Sequence, residues 1–277
     1  MIHHNYGKAR VRVLKVTRAG AAHSIKELEV AVFLQGDFET SYTKADNRLV
    51  VATDSMKNTI NVLAKKELGA ENEEFALALG KHFLDSYPQV ARTEIALSER
   101  SWERITAGGK PRGRAFALRG AARLISRAVC SRKGTSIASG IEGLTILKTT
   151  DSGFENFVRD RFTTLEETRD RILATEMRAV WTYDRKPQSY TATNEKILNA
   201  MLKVFADCYS PSVQATLFEM GEAGLKAARE ISRISIAMPN KHCLLIPLER
   251  FGLENKNELF VPTDEPHGQI EATVARK

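Results

Sequence analysis

A few polar side chains stand out because together they could hold and oxidise a small molecule. Lys8 supplies an amine, and Thr53 supplies a hydroxyl with the carboxylate of Asp54 beside it. Asn240 and His242 add an amide and an imidazole two residues apart. Groups of these types hold substrates and move protons near neutral pH. The sequence contains no His-Glu-x-x-His, Cys-x-x-Cys or Gly-x-x-x-x-Gly-Lys-Ser/Thr pattern. Any chemistry is therefore expected to come from the substrate and these side chains, with no metal and no cofactor.

Each of these residues also has an ordinary structural interpretation when it is taken alone. Thr53 is of a type that caps the amino terminus of a helix, Lys8 suits a solvated surface, and His242 suits a strand. Phe154 fits a core aromatic residue, and Arg171 fits a charge on a helix face. Gln214 fits a polar residue that opens a helix. No single residue decides between structure and chemistry.

The composition is typical of a globular protein without a membrane span. The chain has 277 residues, of which 43% are hydrophobic and 27% are charged, enough for a sizeable core. No apolar run approaches the roughly 18 residues of a membrane helix. Neither a signal peptide nor a Ser-Lys-Leu-type peroxisomal address is recognised at the ends. We expect a cytoplasmic protein with no membrane partner.

Cysteine spacing and charge exclude further classes. Cys130, Cys208 and Cys243 are far apart and match neither a disulfide framework nor a zinc site, which suits a reducing compartment. The net charge of +7 is compatible with a nucleic-acid partner, an anionic substrate or a basic surface. Because the basic residues are spread along the chain rather than clustered, we expect no nucleic-acid partner.

The first half of the chain predicts hairpin strands followed by helices. Alternating apolar residues predict strands at 10–16 and 25–35. Apolar residues at helical spacing predict two helices, one that begins near Thr53 and a second that covers residues 73–86. Further strands are predicted at 91–102 and 113–119, and the glycines of the intervening segment, residues 108–113, favour a hairpin turn over a phosphate loop.

The second half repeats this pattern. A second hairpin is predicted at 122–131 and 135–149, helices at 164–175, 193–207 and 211–230, and strands at 178–183 and 231–247. Ser152 with Glu155, and Thr164 with Glu167, have the spacing of helix capping boxes. The run at 144–152 echoes the one at 49–55, which favours an internal duplication with repeats at residues 1–120 and 121–277.

These elements predict an α+β protein with an antiparallel sheet and helices packed on one face. Each repeat alone would leave open sheet edges, which promote aggregation unless they are paired. Pairing between the repeats and with other subunits would remove these edges. We therefore expect an oligomer.

Several sequence blocks, taken in order, resemble the urate oxidase (uricase) family over essentially the whole chain. They are Tyr6-Gly7-Lys8, Glu39 to Asn47, Val51 to Thr59, Gly143 to Lys148, Phe157 to Asp160, Thr163 to Leu165, Asp170 to Leu173, Ser212 to Thr216, Pro239 to His242 and Phe260 to Asp264. The resemblance implies two tandem tunnelling-fold (T-fold) repeats. It also implies a barrel-forming homotetramer with active sites at subunit interfaces. The activity implied is the oxidation of urate by dioxygen to 5-hydroxyisourate and hydrogen peroxide in purine catabolism.

The resemblance also implies which residues bind the substrate. Phe154 would stack on the purine ring, and Arg171 would fork onto a urate oxygen and the neighbouring ring nitrogen. Gln214 would bind the opposite edge, with the backbone amide of Val213 beside it. Asp54 would lie near the five-membered ring.

The proton relay implied by the resemblance joins Lys8 and Thr53, contributed by the neighbouring subunit, and extends to His242. Lys8 would act through Thr53 as the base that takes urate toward its dianion. Asn240 would help to hold dioxygen or water above the ring. The urate dianion itself would reduce dioxygen, so that no cofactor is implied.

Two rival functions remain at this point. Another T-fold enzyme acting on a pterin or a different purine would keep a stacking aromatic residue, but usually adds a binding-site glutamate or a metal site. A basic nucleic-acid-binding or purely structural oligomer would leave Lys8, Thr53 and His242 unexplained. The pairing of Arg171 with Gln214, together with Asn240 and His242, argues against the pterin enzyme.

Overall fold

The computed structural model describes residues 3–276 of the chain. The helices are α1 Glu39–Thr43, α2 Thr53–Glu67, α3 Asn72–Ser86, α4 Tyr190–Asp207 and α5 Val213–Ala227, with a 3-10 turn at Glu249–Phe251. The strands are β1 Tyr6–Ala19, β2 Ala22–Gly36, β3 Val90–Ala107, β4 Lys110–Ser131, β5 Gly134–Lys148, β6 Leu173–Tyr183, β7 Ile231–Ala237, β8 Asn240–Leu245, β9 Phe260–Gly268 and β10 Glu271–Ala275. The predicted α+β class is confirmed.

The described chain divides into two compact units. The first comprises the residues up to Ile141 together with Thr182–Ala192, and the second comprises Glu142–Trp181 and the residues from Thr193 onward. Position 120, the predicted boundary between the repeats, lies inside the continuous strand β4. The internal duplication itself stays a prediction.

The first unit pairs β1, β2, β3 and β4 as an antiparallel meander. Alternate residues of β2 are fully buried, among them Val30 and Val32, as expected for a sheet with one buried face. Helices α2 and α3 pack on this face through residues at helical spacing, such as Met56, Ile60 and Phe83. The predicted strands at 10–16 and 25–35 and the helix at 73–86 are confirmed.

The hairpin between β3 and β4 turns at Gly108-Gly109, as predicted. Both glycines have positive φ, +60° and +72°, the backbone conformation that tight two-residue hairpins require. The segments predicted as separate strands at 113–119 and 122–131 belong to one strand, β4, in which Gly120 has positive φ. The next hairpin turns at 132–133, between β4 and β5, as predicted.

The second unit pairs β10 with β7, and β8 with both β6 and β9, all antiparallel. Helices α4 and α5 bury apolar residues at helical spacing, including Ile197, Met201 and Met220. These helices confirm the predictions at 193–207 and 211–230. The strand predicted over 231–247 is two strands, β7 and β8, separated at Met238 and Pro239.

The helix predicted at 164–175 is wrong. Residues 164–172 are irregular, and β6 begins at Leu173. Neither proposed capping box forms, because no helix begins at Ser152 or at Thr164. Ser152 lies in an isolated bridge with Ser210, and the Glu167 carboxylate accepts a hydrogen bond from the backbone of Asn156 (3.1 Å). Backbone pairing between distant segments has overridden a local helical pattern.

Among residues 3–276, no helix is long and apolar enough to cross a membrane.

Candidate active site

A β-bulge determines which way Lys8 points. Lys8 pairs with Val32 and Val11 pairs with Val30, so that β1 holds one more residue than β2 over this interval. Arg10, inside the bulge, has a positive φ of 57°. An extra residue reverses the side-chain alternation of a strand. Lys8 therefore lies on the helix-covered face of the sheet, as Val11 does, although the two are three positions apart.

Thr53 and Asp54 form the first turn of α2, on the same face of the first unit. The residue that precedes the helix is Ala52, which makes no side-chain cap hydrogen bond, so the interpretation of Thr53 as the helix cap is wrong. Asp54 accepts hydrogen bonds from Lys57 (2.6 Å) and Asn58 (2.9 Å). The hydrogen bond from Lys57 lowers the pKa of Asp54, and the charge of Lys8 adds to this effect. A positive charge on strand β1 thus acts at the amino terminus of α2.

In the second unit, the backbone of residues 151–154 is held from two sides. On one side, Phe154 exchanges two backbone hydrogen bonds with Thr168 (2.7 and 3.1 Å), and the Arg171 amide donates to the Ser152 carbonyl (2.8 Å). On the other side, Gly153 donates to the Ser210 carbonyl (2.8 Å). This arrangement brings Phe154 and Arg171 together although they are far apart in sequence.

Arg171 combines a partly buried charge with a contact to an aromatic ring. Its guanidinium carbon lies 5.6 Å from the centre of the Phe154 ring, within the range of a cation–π contact. Among the described residues, its buried Nε has no hydrogen-bond partner. Burial lowers the pKa of the guanidinium, with a smaller opposing effect from Tyr209. A desolvated cation with an unused donor is an attractive binding group for a planar anion.

Asn240 and His242 meet Phe154 and Arg171 around one cavity of about 170 Å³. The other lining residues are Leu165, Glu166, Thr168, Ile172, Lys241, Cys243 and Leu244. Strand β8 carries Asn240 opposite Thr175 of β6. Thr263 of β9 donates to the His242 carbonyl (3.0 Å). The two polar side chains therefore stand on paired strands rather than on a loop.

Val213 and Gln214 open α5, as predicted. Ser212 caps this helix by accepting a hydrogen bond from the Ala215 amide (3.1 Å). Ser210, two residues earlier, donates its amide to the Asp151 carbonyl (2.8 Å). The start of α5 is thereby tied to the segment that carries Phe154. Val213 is buried and Gln214 is exposed, and neither belongs to the lining of the cavity.

The structure thus forms two groups of predicted site residues. Lys8, Thr53 and Asp54 belong to the first unit. The second unit holds the cavity group, which consists of Phe154, Arg171, Asn240 and His242, and also Val213 and Gln214 outside the cavity lining. Within residues 3–276, no three His, Cys, Asp or Glu side chains are grouped so as to hold a metal ion.

Comparison with known proteins identifies the family. The sequence profile of the uricase family matches residues 4–125 and 137–271. The chain belongs to the uricase family. It is 42% identical to the uricase of Arthrobacter globiformis, over 98% of this chain and 88% of that protein. It is also 42% identical to the uricase of Arabidopsis thaliana, over 98% of this chain and 94% of that protein.

Solved structures of uricases have the same fold. The crystal structure of the Arthrobacter globiformis uricase superposes with a TM-score of 0.95 at 41% identity, covering 100% of this chain and 95% of that one. A hyperthermostable urate oxidase mutant of Bacillus sp. TB-90 shares the fold, with a TM-score of 0.88 at 24% identity and coverage of 99% and 100%. As a member of the uricase family, the chain is an oxidoreductase, and this membership supports urate oxidation.

Three aromatic residues near the candidate site residues were given no role in the sequence analysis. Phe157 stacks on Phe154 with ring centres 5.0 Å apart and planes 7° apart. Tyr209 donates its hydroxyl to the Arg169 carbonyl (3.1 Å). Tyr6 bonds to the backbone of Val51. The sequence signal that could have drawn attention to Phe157 is its neighbour Asn156, because asparagine is a residue type that favours turns. Asn156 has a positive φ of 58°.

Proposed function

We propose that this chain oxidises urate with dioxygen to 5-hydroxyisourate and hydrogen peroxide, as one step of purine catabolism, without a metal or an organic cofactor. The observation that carries the proposal is the half-buried Arg171 guanidinium over the Phe154 ring, at a cavity that Asn240 and His242 also line. Among residues 3–276, its buried Nε has no hydrogen-bond partner. Family membership supplies the substrate, because the matched relatives are named uricase.

Phe154, Arg171 and Gln214 act as the substrate clamp. A flat purine stacks on an aromatic face, and a guanidinium offers two parallel donors to neighbouring acceptors on a planar anion. Gln214 presents both a donor and an acceptor from the first turn of α5, where the backbone amide of Val213 is also available. The shared backbone anchoring of Phe154, Arg171 and the start of α5 supports this assignment.

Lys8, Thr53 and His242 act as the proton relay. Lys8 removes a proton from bound urate through the Thr53 hydroxyl, and His242 continues the path. The place of Thr53 after the capping residue Ala52 supports this assignment, since its hydroxyl does not serve as the helix cap. The effect of Lys8 on the pKa of Asp54 supports a location of the lysine near the first turn of α2. In this proposal Asp54 lies near the five-membered ring of urate.

The reaction balances with urate, dioxygen and water as the reactants. Loss of a proton to the relay leaves an electron-rich urate dianion, which transfers two electrons to dioxygen. The reduced dioxygen takes up two protons, one returned by the relay and one from the solvent, and leaves as hydrogen peroxide. Water then adds to the oxidised ring to give 5-hydroxyisourate. Asn240 holds dioxygen or water above the ring, as its place beside Arg171 at the cavity supports.

The chain acts as a homotetramer of tandem T-fold repeats, in which Lys8 and Thr53 of one subunit complete the cavity of its neighbour. Exposed apolar residues support a subunit contact on paired strands of the second unit. Leu244 of β8 is 57% exposed and its partner Val261 of β9 is 48% exposed. Apolar surface of this kind marks interaction sites. The cytoplasmic location stays a prediction.

A substrate comparison tests the proposal against its nearest rival. The purified protein is given urate or a reduced pterin in air, and oxygen uptake is followed. After subtraction of the rate without protein, we expect uptake with urate and none with the pterin, because the Arg171 donors fit the adjacent oxygen and nitrogen of urate. Uptake with the pterin alone would contradict the proposal.

A second experiment tests the shared site. The variants Lys8→Met and Arg171→Ala are prepared separately and then unfolded and refolded together. Mixed tetramers would contain some sites with both residues intact, so activity above that of either variant is expected. Activity no higher than that of the separate variants would contradict a site shared between subunits.

A further inference from the structure

We propose that Tyr6 is a positioning residue that holds the amino terminus of α2, and with it Thr53, against the strand that carries Lys8. This inference rests on the proposed proton relay. Tyr6 lies outside the relay, and its role is to fix the position of Thr53 relative to Lys8.

The first observation is a pair of hydrogen bonds between distant parts of the chain. The Tyr6 hydroxyl accepts a hydrogen bond from the Val51 amide (2.9 Å) and donates one to the Val51 carbonyl (3.3 Å). Tyr6 lies two residues before Lys8 on β1, and Val51 lies two residues before Thr53. One side chain therefore links the two backbones that carry the proposed base and its hydroxyl partner.

Strand geometry places Tyr6 and Lys8 on the same face. Residues two apart in a strand point the same way, and the partners of Tyr6 and Lys8 on β2, Leu34 and Val32, are both fully buried beneath the helices. The bulge begins only after Lys8. The tyrosine and the lysine therefore reach toward α2 side by side.

The strand beneath Tyr6 cannot easily shift. At Gly7, between Tyr6 and Lys8, an added Cβ would lie 1.8 Å from the Val32 carbonyl oxygen. The backbones of β1 and β2 are thus in closer contact here than any other residue type would allow. The Tyr6 ring packs edge-on against Phe38 at 4.8 Å between ring centres. The phenol is therefore a fixed point rather than a mobile side chain.

Tyr6 positions the site and does not itself transfer protons. A phenol has one proton to donate, and Tyr6 uses it on the Val51 carbonyl. Burial raises the pKa of the phenol, so it remains neutral at the pH of the reaction. Both properties suit a residue that holds backbone in place.

The start of α2 needs such an anchor because the helix has no side-chain cap. Upstream, Gln89 donates its side-chain amide to the Leu49 carbonyl (2.8 Å). Tyr6 holds Val51, which lies closer to Thr53 and the first turn of α2. Loss of its hydroxyl would leave the helix packed through Met56 and Ile60 but would free the backbone just before Thr53.

The test uses Tyr6→Phe in the full-length protein, which removes the hydroxyl and keeps the ring. We expect kcat for urate to fall about tenfold through misplacement of Thr53, with KM changed by less than about twofold. Tyr87→Phe is the matched control, because Tyr87 is a half-buried tyrosine that packs against the same core. It should keep the parent kcat. A parent-like kcat in Tyr6→Phe would overturn the inference.

A double variant separates positioning from general loosening of the structure. If Tyr6 acts through Thr53, then Tyr6→Phe should cost less than about twofold in kcat when Thr53→Ala is already present. The same tenfold loss in both backgrounds would overturn the inference. A parent-like kcat for Thr53→Ala alone would instead contradict the proposed relay. An impaired Thr53→Ala with a normal Tyr6→Phe would contradict only the role of Tyr6.

Discussion

The backbone amide of Arg171 donates a hydrogen bond to the carbonyl of Ser152 at 2.8 Å, and this contact connects the cation of the cavity to the chain that carries Phe154. The arginine is thus held at its backbone, while its Nε has no hydrogen-bond partner among residues 3–276. If Arg171 binds urate as proposed, the guanidinium and the ring are in place before the substrate arrives. Such preorganisation reduces the entropy lost on binding.

Arg171→Lys should weaken urate binding. A lysine keeps the charge but has no fork of parallel donors, and a hydrogen bond to a charged group contributes about 1.5–3 kcal/mol. We expect KM to rise about 10- to 100-fold with a smaller change in kcat. Steady-state kinetics with urate measure both.

The control for this change is Arg169→Lys. The Arg169 side chain is 86% exposed and pairs with Glu155, so its KM should match the parent. If Arg171→Lys also has the parent KM, the arginine does not bind urate.

Lys8→Met should abolish most turnover while leaving substrate binding intact. Removal of a general base typically lowers kcat by about 100-fold or more. Because the cavity group is unchanged, KM should stay within about threefold of the parent value. Rapid-mixing measurements of urate loss would check both values.

Lys15→Met provides a matched lysine on the same strand. Lys15 donates to the Ala64 (3.1 Å) and Leu68 (2.6 Å) carbonyls at the carboxyl end of α2. This variant should lose thermal stability, because the helix end loses its donor, and should keep its kcat. Near-normal turnover of Lys8→Met would show that the lysine is not the base.

Gly153→Ala should loosen the cavity. A Cβ at this position would lie 2.3 Å from the Tyr209 hydroxyl and 2.9 Å from the Thr168 carbonyl oxygen, so neighbouring chain must move. Overpacking of this kind typically destabilises a fold by about 1–3 kcal/mol. Urea unfolding measures the stability, and the KM for urate should rise as Phe154 and Arg171 separate.

Gly69→Ala serves as the comparison, since its added Cβ would lie 4.0 Å from the Glu67 carbonyl oxygen, an ordinary van der Waals distance. We expect parent-like stability and KM for this variant. Equal behaviour of the two alanine variants would mean that the close packing at Gly153 is unimportant.

Glu27 should contribute stability that depends on pH. A hydrogen bond from Arg12 holds the pKa of its carboxyl below the ordinary value, although burial opposes this effect. Because the folded pKa is the lower one, the stabilisation is present above about pH 4.3 and is lost as the pH falls through the folded pKa.

Glu27→Gln should therefore lower the free energy of unfolding at pH 7 by about 1 kcal/mol, a modest value because solvent screens the exposed Arg12. The difference from the parent should shrink below about pH 4. Glu103→Gln, at an ion pair with Arg119 whose side chains are 55% and 71% exposed, should change little. A difference for Glu27→Gln that is constant from pH 7 to pH 3 would contradict the linkage.

The residue pattern was sufficient to predict those helices and strands that depend only on neighbouring residues in the sequence. Alternation in β2 and the i, i+4 spacing of Met56 and Ile60 predicted a strand and a helix that the structure contains. The bulge that turns Lys8 toward α2 could not be predicted, because Arg10 is not a residue type that favours positive φ. It depends on pairing with β2.

The arrangement of the cavity residues could not be predicted from the spacing of residues in the sequence. Residues 164–172 have a helical pattern, but hydrogen bonds to Ser152 and Phe154 hold them in an irregular path. The closeness of Phe154 to Arg171 follows from that path. Their roles were inferred from the family resemblance and stay proposals.

The measurement that tests the central claim most directly is the stoichiometry of turnover in air-saturated buffer with a strong chelator present. Loss of urate absorbance, oxygen uptake and peroxide release are followed together. We predict equal amounts of urate and oxygen consumed and peroxide formed, at a rate that the chelator does not change. Turnover that stops with the chelator and returns with added metal would contradict a reaction carried by urate and these side chains alone.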